Sequence, residues 1–149
     1  WLNKNLKIKL SYLSPFIPLE GTPLNSHSPP DPKRVPRLYQ AQFLLNSYGF
    51  AVKDMILDDS DHLFLDDDPK QLWAQFHPEN FPVEINESSF NDLIKVPGIG
   101  PKSARKILAA RRSGHVFTSL EDLKKTGVWI KRAEPFIKLN RIYQSTLNF

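Results

Sequence analysis

The residues whose types and spacing point to chemistry lie in one stretch, Val96-Pro97-Gly98-Ile99-Gly100-Pro101-Lys102-Ser103-Ala104-Arg105-Lys106-Ile107. Two glycines let a backbone turn sharply and approach a ligand with no Cβ in the way. Ile99 between them is placed to plug the space between two helices, and Ala104 lets those helices pack closely. Pro101 suits a first helical position, so the amides of Gly98, Gly100, Lys102 and Ser103 fall at or near a helix N-terminus. Such amides have no intrahelical partner, and the helix dipole adds positive potential. The chemistry this predicts is capture of a phosphate oxygen, with Lys102 and Arg105 or Lys106 adding charge beside it.

This stretch resembles the helix-hairpin-helix motif. A weaker copy follows in Leu123-Lys124-Lys125-Thr126-Gly127-Val128-Trp129-Ile130-Lys131-Arg132-Ala133. It keeps one glycine, a hydrophobic residue and a later alanine, but Trp129 stands where a second glycine is expected. It resembles a degenerate second hairpin, related to the first by a pseudo-twofold. The resemblance implies a tandem pair able to hold phosphates of both strands across a minor groove. With one glycine missing, the second hairpin is either a phosphate contact through Gly127, Lys131 and Arg132 or purely structural.

Other chemistries find little support. Cysteine is absent, which excludes disulfides, zinc–thiolate sites, cysteine nucleophiles and iron–sulfur clusters held by this chain. His27, His62, His77 and His115 are scattered without metal-ligand spacing. Asp58, Asp59, Asp61, Asp66, Asp67 and Asp68 form an acidic run, but it lacks the glycine and terminal glutamate of a calcium loop. It reads as a solvated loop with helix caps. No serine sits in a nucleophile elbow and no phosphate loop is present, so no catalytic residue and no metal site are assigned. Trp73 and Trp129 have the ring to stack on bases, but burial is the commoner place for tryptophan in such small domains, and both are expected inside.

The elements that must position the hairpins follow from periodicity and caps. Ile8, Leu10 and Tyr12 alternate with Lys7, Lys9 and Ser11, which predicts a strand over residues 7–13. Such a strand has no strong partner, so residues 1–30 are expected to be disordered, swapped, or docked on another domain or copy. Gly21, Pro23, Pro29, Pro30, Pro32 and Pro36 make residues 20–36 an extended arm. A helix is expected from Arg37 to Tyr48, ended by Gly49, with Phe43 and Tyr48 in the core. Residues 50–57 read as a short strand or a second helix. Asp67 or Asp68 caps a helix from Pro69 to about Phe76, with Leu72, Trp73 and Phe76 inward. Ser89 and Asp92 form a capping box for a helix ending at Lys95. The next helix runs from Pro101 to about Arg112, and Gly114 closes it. Thr118 with Glu121 suggests another capping box. A last helix is expected from Ile130 to Leu139, shortened or kinked by Pro135.

The fold class expected is therefore mainly α: a C-terminal tandem helix-hairpin-helix module, an irregular helical region before it, and an N-terminal strand with a proline-rich arm. The corresponding divisions are 1–36, 37–87 and 88–149. Charge follows the same split. Residues 1–87 hold 8 Lys/Arg and 12 Asp/Glu, whereas residues 88–149 hold 12 Lys/Arg and 4 Asp/Glu. A basic half is an electrostatic footprint for a polyanion. No apolar run approaches ~20 residues, so no membrane span is expected. No signal peptide is visible, and a cytoplasmic location is expected. The chain opens at Trp1, as a processed product or part of something longer does.

The hairpin half resembles tandem modules of competence DNA receptors and nucleotide-excision proteins. Phe81-Pro82-Val83-Glu84-Ile85-Asn86, Arg37-Leu38-Tyr39-Gln40-Ala41, Tyr48-Gly49-Phe50 and Asp68-Pro69-Lys70-Gln71-Leu72-Trp73-Ala74 narrow the likeness. Together they look like the C-terminal region of DNA modification/repair radical S-adenosylmethionine proteins. Tyr12-Leu13-Ser14-Pro15-Phe16-Ile17-Pro18 resembles that family's last barrel strand and exit, so the likeness runs over roughly residues 7–141. The resemblance implies a catalytic barrel upstream, with an iron–sulfur cluster and S-adenosylmethionine, and no cofactor in this chain. It implies double-stranded DNA as a partner, bound through Gly98, Ile99, Gly100, Lys102 and Ser103, and a uracil-DNA glycosylase-like protein as a second. Two rival readings are a self-contained DNA glycosylase or lyase and a protein-interaction scaffold.

Overall fold

The computed structural model describes Asn5 and residues 11–139, and it is mainly helical. The backbone groups into two compact units, Trp1–Trp73 and Ala74–Phe149. Among the described residues no helix is long and apolar enough to cross a membrane. Of the strand expected at 7–13, residues 7–10 lie outside the described residues, and 11–13 are not a strand. The Leu13 backbone is instead held by a side chain. Its N–H donates to Tyr39 Oη at 2.8 Å, and that hydroxyl donates to the Leu13 carbonyl at 3.0 Å.

In the first unit the arm forms turns rather than a fully extended connector, with Asn25 N–H donating to Thr22 O and His27 N–H to Leu24 O. Helix α1, Arg34–Ser47, starts before the expected Arg37. Pro36 lies in its first turn, where a missing N–H leaves no helical bond unmade. Ala41 and Leu44 are the buried positions of α1, and Phe50 is buried after it. Phe43 is 61% exposed, contrary to the core role expected. At about 100° per residue it lies roughly 200° around the helix from Ala41. Tyr48 is half-buried. Residues 50–57 contain neither expected element, only a 3₁₀ turn at Val52–Asp54 and a bridge from Leu57 to Leu63.

The acidic run is ordered by hydrogen bonds. Asp58 Oδ1 accepts from the N–H groups of Ser60 and His62. Asp66 pairs with Lys33. Arg37 donates to the carbonyls of Leu65 and Asp66 at 2.8 and 3.0 Å, tying the run to α1. Asp68 caps helix α2, Pro69–Phe76, accepting from the N–H groups of Lys70 and Gln71. Leu72 and Trp73 are buried as expected, and Trp73 meets Phe50 edge-on at 5.1 Å. Phe76 shares their face by spacing but is exposed, because it is the terminal residue of the helix.

The second unit holds the hairpins. Ser89 caps helix α3, Phe90–Lys95, in the reciprocal box with Asp92. Helix α4 is Pro101–Arg112. Helix α5, Leu120–Lys124, is capped by Ser119, whose hydroxyl accepts from Asp122 N–H. The cap is thus one residue beyond the expected Thr118, and Glu121 is left outside the box. Helix α6 is only Ile130–Ala133. Pro135 falls in a 3₁₀ turn, Glu134–Phe136, so the helix expected to reach Leu139 ends early. The chain then extends as β2, Ile137–Lys138, parallel to β1, Val83–Glu84, in the register Val83 to Ile137. Asn86 exchanges two 2.9 Å hydrogen bonds with the Phe117 backbone, fixing the connection between α4 and α5. Arg111 donates to the Ser88 carbonyl at 2.6 Å and is a structural cation. The core is Ile85, Leu93, Ile94, Val96, Ile99, Ala104, Ile107, Phe117, Leu123, Val128 and Ala133.

Two stability predictions follow from these elements. Ser119→Ala should cost about 1 kcal/mol of unfolding free energy, whereas Thr118→Ala should stay within about 0.5 kcal/mol of the parent; urea unfolding separates them. The Lys70 side chain is buried, with Nζ 4.7 Å from the Tyr48 ring centroid. Burial pushes its ammonium from 10.5 down to about 7, against the pull of the Asp68 carboxylate. Between those two values the unfolded chain binds a proton that the folded chain has released, so stability should rise as pH increases from 7 toward 10. Lys70→Met should be the more stable protein at pH 7 and should flatten that rise, as denaturant melts across the pH series will read.

Candidate nucleic-acid interface

Helix α3, a tight turn and helix α4 make the first hairpin. The turn is closed by Ile99 N–H donating to Val96 O at 3.1 Å. Gly98 has φ +83, a conformation that favours glycine. A second constraint comes from outside the turn. A Cβ on Gly98 would lie 2.5 Å from the Trp129 carbonyl oxygen and 3.1 Å from both Ala133 N and Arg132 Cβ. Gly98 O in turn accepts from Trp129 N–H at 2.9 Å. Gly98 therefore backs onto the second hairpin.

Gly100 plays a different part. It is the N-cap of α4 with φ −98 and ψ 171, extended backbone that any residue adopts. The α4 ladder begins with Ala104 N–H donating to Gly100 O at 2.9 Å. Pro101 has no N–H, so Lys102 and Ser103 carry the first-turn amides without helical acceptors. Ile99 is buried as the plug between the helices. The Ser103 side chain is also buried, facing the second hairpin, so only its backbone N–H is placed with the α4 terminus.

The cations beside this terminus share a face. Lys102, Arg105 and Lys106 stand one helical turn apart and are exposed, opposite the buried Ser103, Ala104 and Ile107. The Arg105 guanidinium lies 5.7 Å from the Phe90 ring centroid, which steadies it without removing it from solvent.

The second hairpin repeats the arrangement with substitutions. Gly127 corresponds to Gly98 and has φ +89, and its Cβ would meet Ser103 Oγ at an ordinary 3.4 Å. Val128 and Ala133 are buried as Ile99 and Ala104 are. Trp129 takes the place of Gly100, is 57% exposed, and has the Arg132 guanidinium 4.4 Å from its ring centroid. Lys131 is exposed and corresponds to Lys102, but Glu134 and Pro135 stand in place of Arg105 and Lys106. The four residues of α6 give a far shorter basic face than α4. Burial is expected of both tryptophans; Trp73 is buried, but Trp129, on the short α6 turn, is exposed. The Trp129–Arg132 stack has a signal in the sequence, an arginine three residues after an aromatic on a helical turn.

A family model described as a helix-hairpin-helix motif matches residues 79–128. A kinesin-like protein of Danio rerio is 42% identical over 57 residues, which span 38% of this chain and 9% of that relative. Neither match is to a radical S-adenosylmethionine protein. No solved structure matches the chain. The C-terminal half thus carries a helix-hairpin-helix motif, and that motif points to nucleic-acid binding.

The two turn glycines, Gly98 and Gly127, should separate by substitution. Gly98→Ala should lose roughly 3 kcal/mol or more, from a left-handed alanine together with the overlap on Trp129 O. Gly127→Ala should lose about 1–2 kcal/mol from backbone conformation alone. Thermal and urea melts of the two variants against the parent chain check the order.

Proposed function

We propose that the module binds double-stranded DNA without regard to sequence, through phosphate capture at the first hairpin. The observation that carries this is the α4 terminus: an extended Gly100, the Lys102 and Ser103 amides without helical acceptors, and Lys102, Arg105 and Lys106 on one exposed face. Backbone amides recognise phosphate oxygens and carry no base code. In the second hairpin, Gly127, Lys131 and Arg132 add a weaker contact.

The wider resemblance over residues 7–141 supports a finer reading, the DNA-binding tail of a cytoplasmic radical S-adenosylmethionine DNA modification or repair enzyme. The thiolate ligands of an iron–sulfur cluster do not fit this cysteine-free chain, so the reaction belongs to a region preceding it. A uracil-DNA glycosylase-like partner rests on the same resemblance. Clustered cysteines in the reading frame upstream of Trp1 would support this assignment, and their absence would remove it. The match to 9% of a kinesin-like protein favours a second reading, in which the unit is a DNA-binding appendage of a different large protein.

Binding by fluorescence anisotropy tests the common core of both readings. Duplexes of unrelated sequence should bind alike. If the hairpins neutralise about three phosphates, the log–log salt slope should be roughly −2.7. Gly100→Val should abolish most affinity. Its backbone geometry suits valine, so circular dichroism should show an intact fold while the γ-carbons block the phosphate. Lys102→Ala should weaken binding modestly and make the slope shallower by about 0.9. Tight binding by folded Gly100→Val, or a strong preference for one short sequence, would refute the proposal.

A further inference from the structure

We infer that Trp129 is a stacking site for an unstacked nucleobase, so that the module prefers duplex DNA interrupted by a gap or an opened base over intact duplex. The inference rests on the DNA-binding reading above. It begins from the difference between two equivalent positions. Where the first hairpin has Gly100, the second has an indole with 57% of its surface open. The Arg132 guanidinium lies 4.4 Å from the ring centroid. It covers one face, adds positive charge, and limits the rotamers open to the ring.

A tryptophan of this size is usually buried, and Trp73 in the same chain is. More than half of the Trp129 surface takes no part in packing. The contact that joins the hairpins uses its backbone, through the N–H to Gly98 O and the carbonyl against Gly98. The side chain is left exposed at the N-cap of α6, the position equivalent to Gly100 of the first hairpin. Intact B-form duplex offers only base edges and backbone there, because the ring faces are stacked. An indole finds a partner when a base step is opened, at a gap, a bulge or a site of weakened stacking. Stacking of a base on an aromatic side chain tolerates any base, which keeps the preference structural rather than sequence-specific.

Anisotropy with an intact duplex and the same duplex carrying a one-nucleotide gap tests this, with 2-aminopurine opposite the gap as a stacking reporter. The 149-residue chain should bind the gapped duplex roughly tenfold more tightly, the range of one base stacked on an aromatic, and should quench the reporter. Trp129→Phe should keep most of that ratio and of the quenching. Trp129→Ala should bring the ratio near one and abolish quenching. Equal affinity of the parent chain for the two duplexes, or a Trp129→Ala protein that keeps the ratio, would overturn the inference and leave duplex binding standing. Failure to bind either duplex would overturn the DNA-binding reading and this inference with it.

Discussion

The second unit depends on the place where two backbones meet at Gly98. No other residue fits there, since the space a Cβ would take is held by the Trp129 carbonyl, the Ala133 amide and Arg132 Cβ. The hydrogen bond from Trp129 N–H to Gly98 O adds direction to that contact. Close approach at this point brings Ile99 and Val128 into one core and lets Ala104 and Ala133 pack without exposure. The glycine most easily read as a ligand contact is therefore also the joint between the hairpins. For the phosphate capture proposed above, its part would be indirect: the joint holds the α4 terminus in a fixed attitude.

Features governed by local rules were legible in the sequence. Asp68 before Pro69, Ser89 with Asp92, and the glycines and prolines of the first hairpin each act within a few residues, so composition specifies them. Thr118 and Ser119 each have an acidic residue three positions on, and local rules alone do not choose between them. The observed choice places Asp122, not Glu121, 2.6 Å from His115 Nε2. The pairing of Val83–Glu84 with Ile137–Lys138 was not legible, since two-residue strands carry no period and their contact is remote in sequence. Phe43 and Phe76 show the opposite failure, hydrophobic residues assigned inward by type when helix phase or helix end leaves them outside.

The candidate site was legible in the same uneven way. Lys102, Arg105 and Lys106 follow from helical spacing once Pro101 fixes the helix start, and they share an exposed face. The division of labour between the two glycines was not, because a sequence gives spacing without φ or neighbours. Gly98 needs glycine for its conformation and its contact, while Gly100 has a conformation open to any residue. On the proposed function, a glycine at Gly100 is accounted for by the phosphate that must come close to it.

That distinction also orders the hairpins. Pseudo-twofold symmetry would give two equivalent phosphate sites, but the joint consumes the Trp129 N–H, the position equivalent to Gly100 in the second hairpin. An amide already donating to Gly98 O is not available to a phosphate. The cost of locking the hairpins falls on one of them, and the sequence follows suit: the second glycine is replaced by tryptophan, and Glu134 and Pro135 stand where Arg105 and Lys106 would continue the basic face. The first hairpin keeps the Lys102 and Ser103 amides open, whereas in the second the Arg132 N–H, equivalent to that of Ser103, donates to Trp129 O at 3.0 Å. The asymmetry of the pair thus rests on two hydrogen bonds, Trp129 N–H to Gly98 O and Arg132 N–H to Trp129 O.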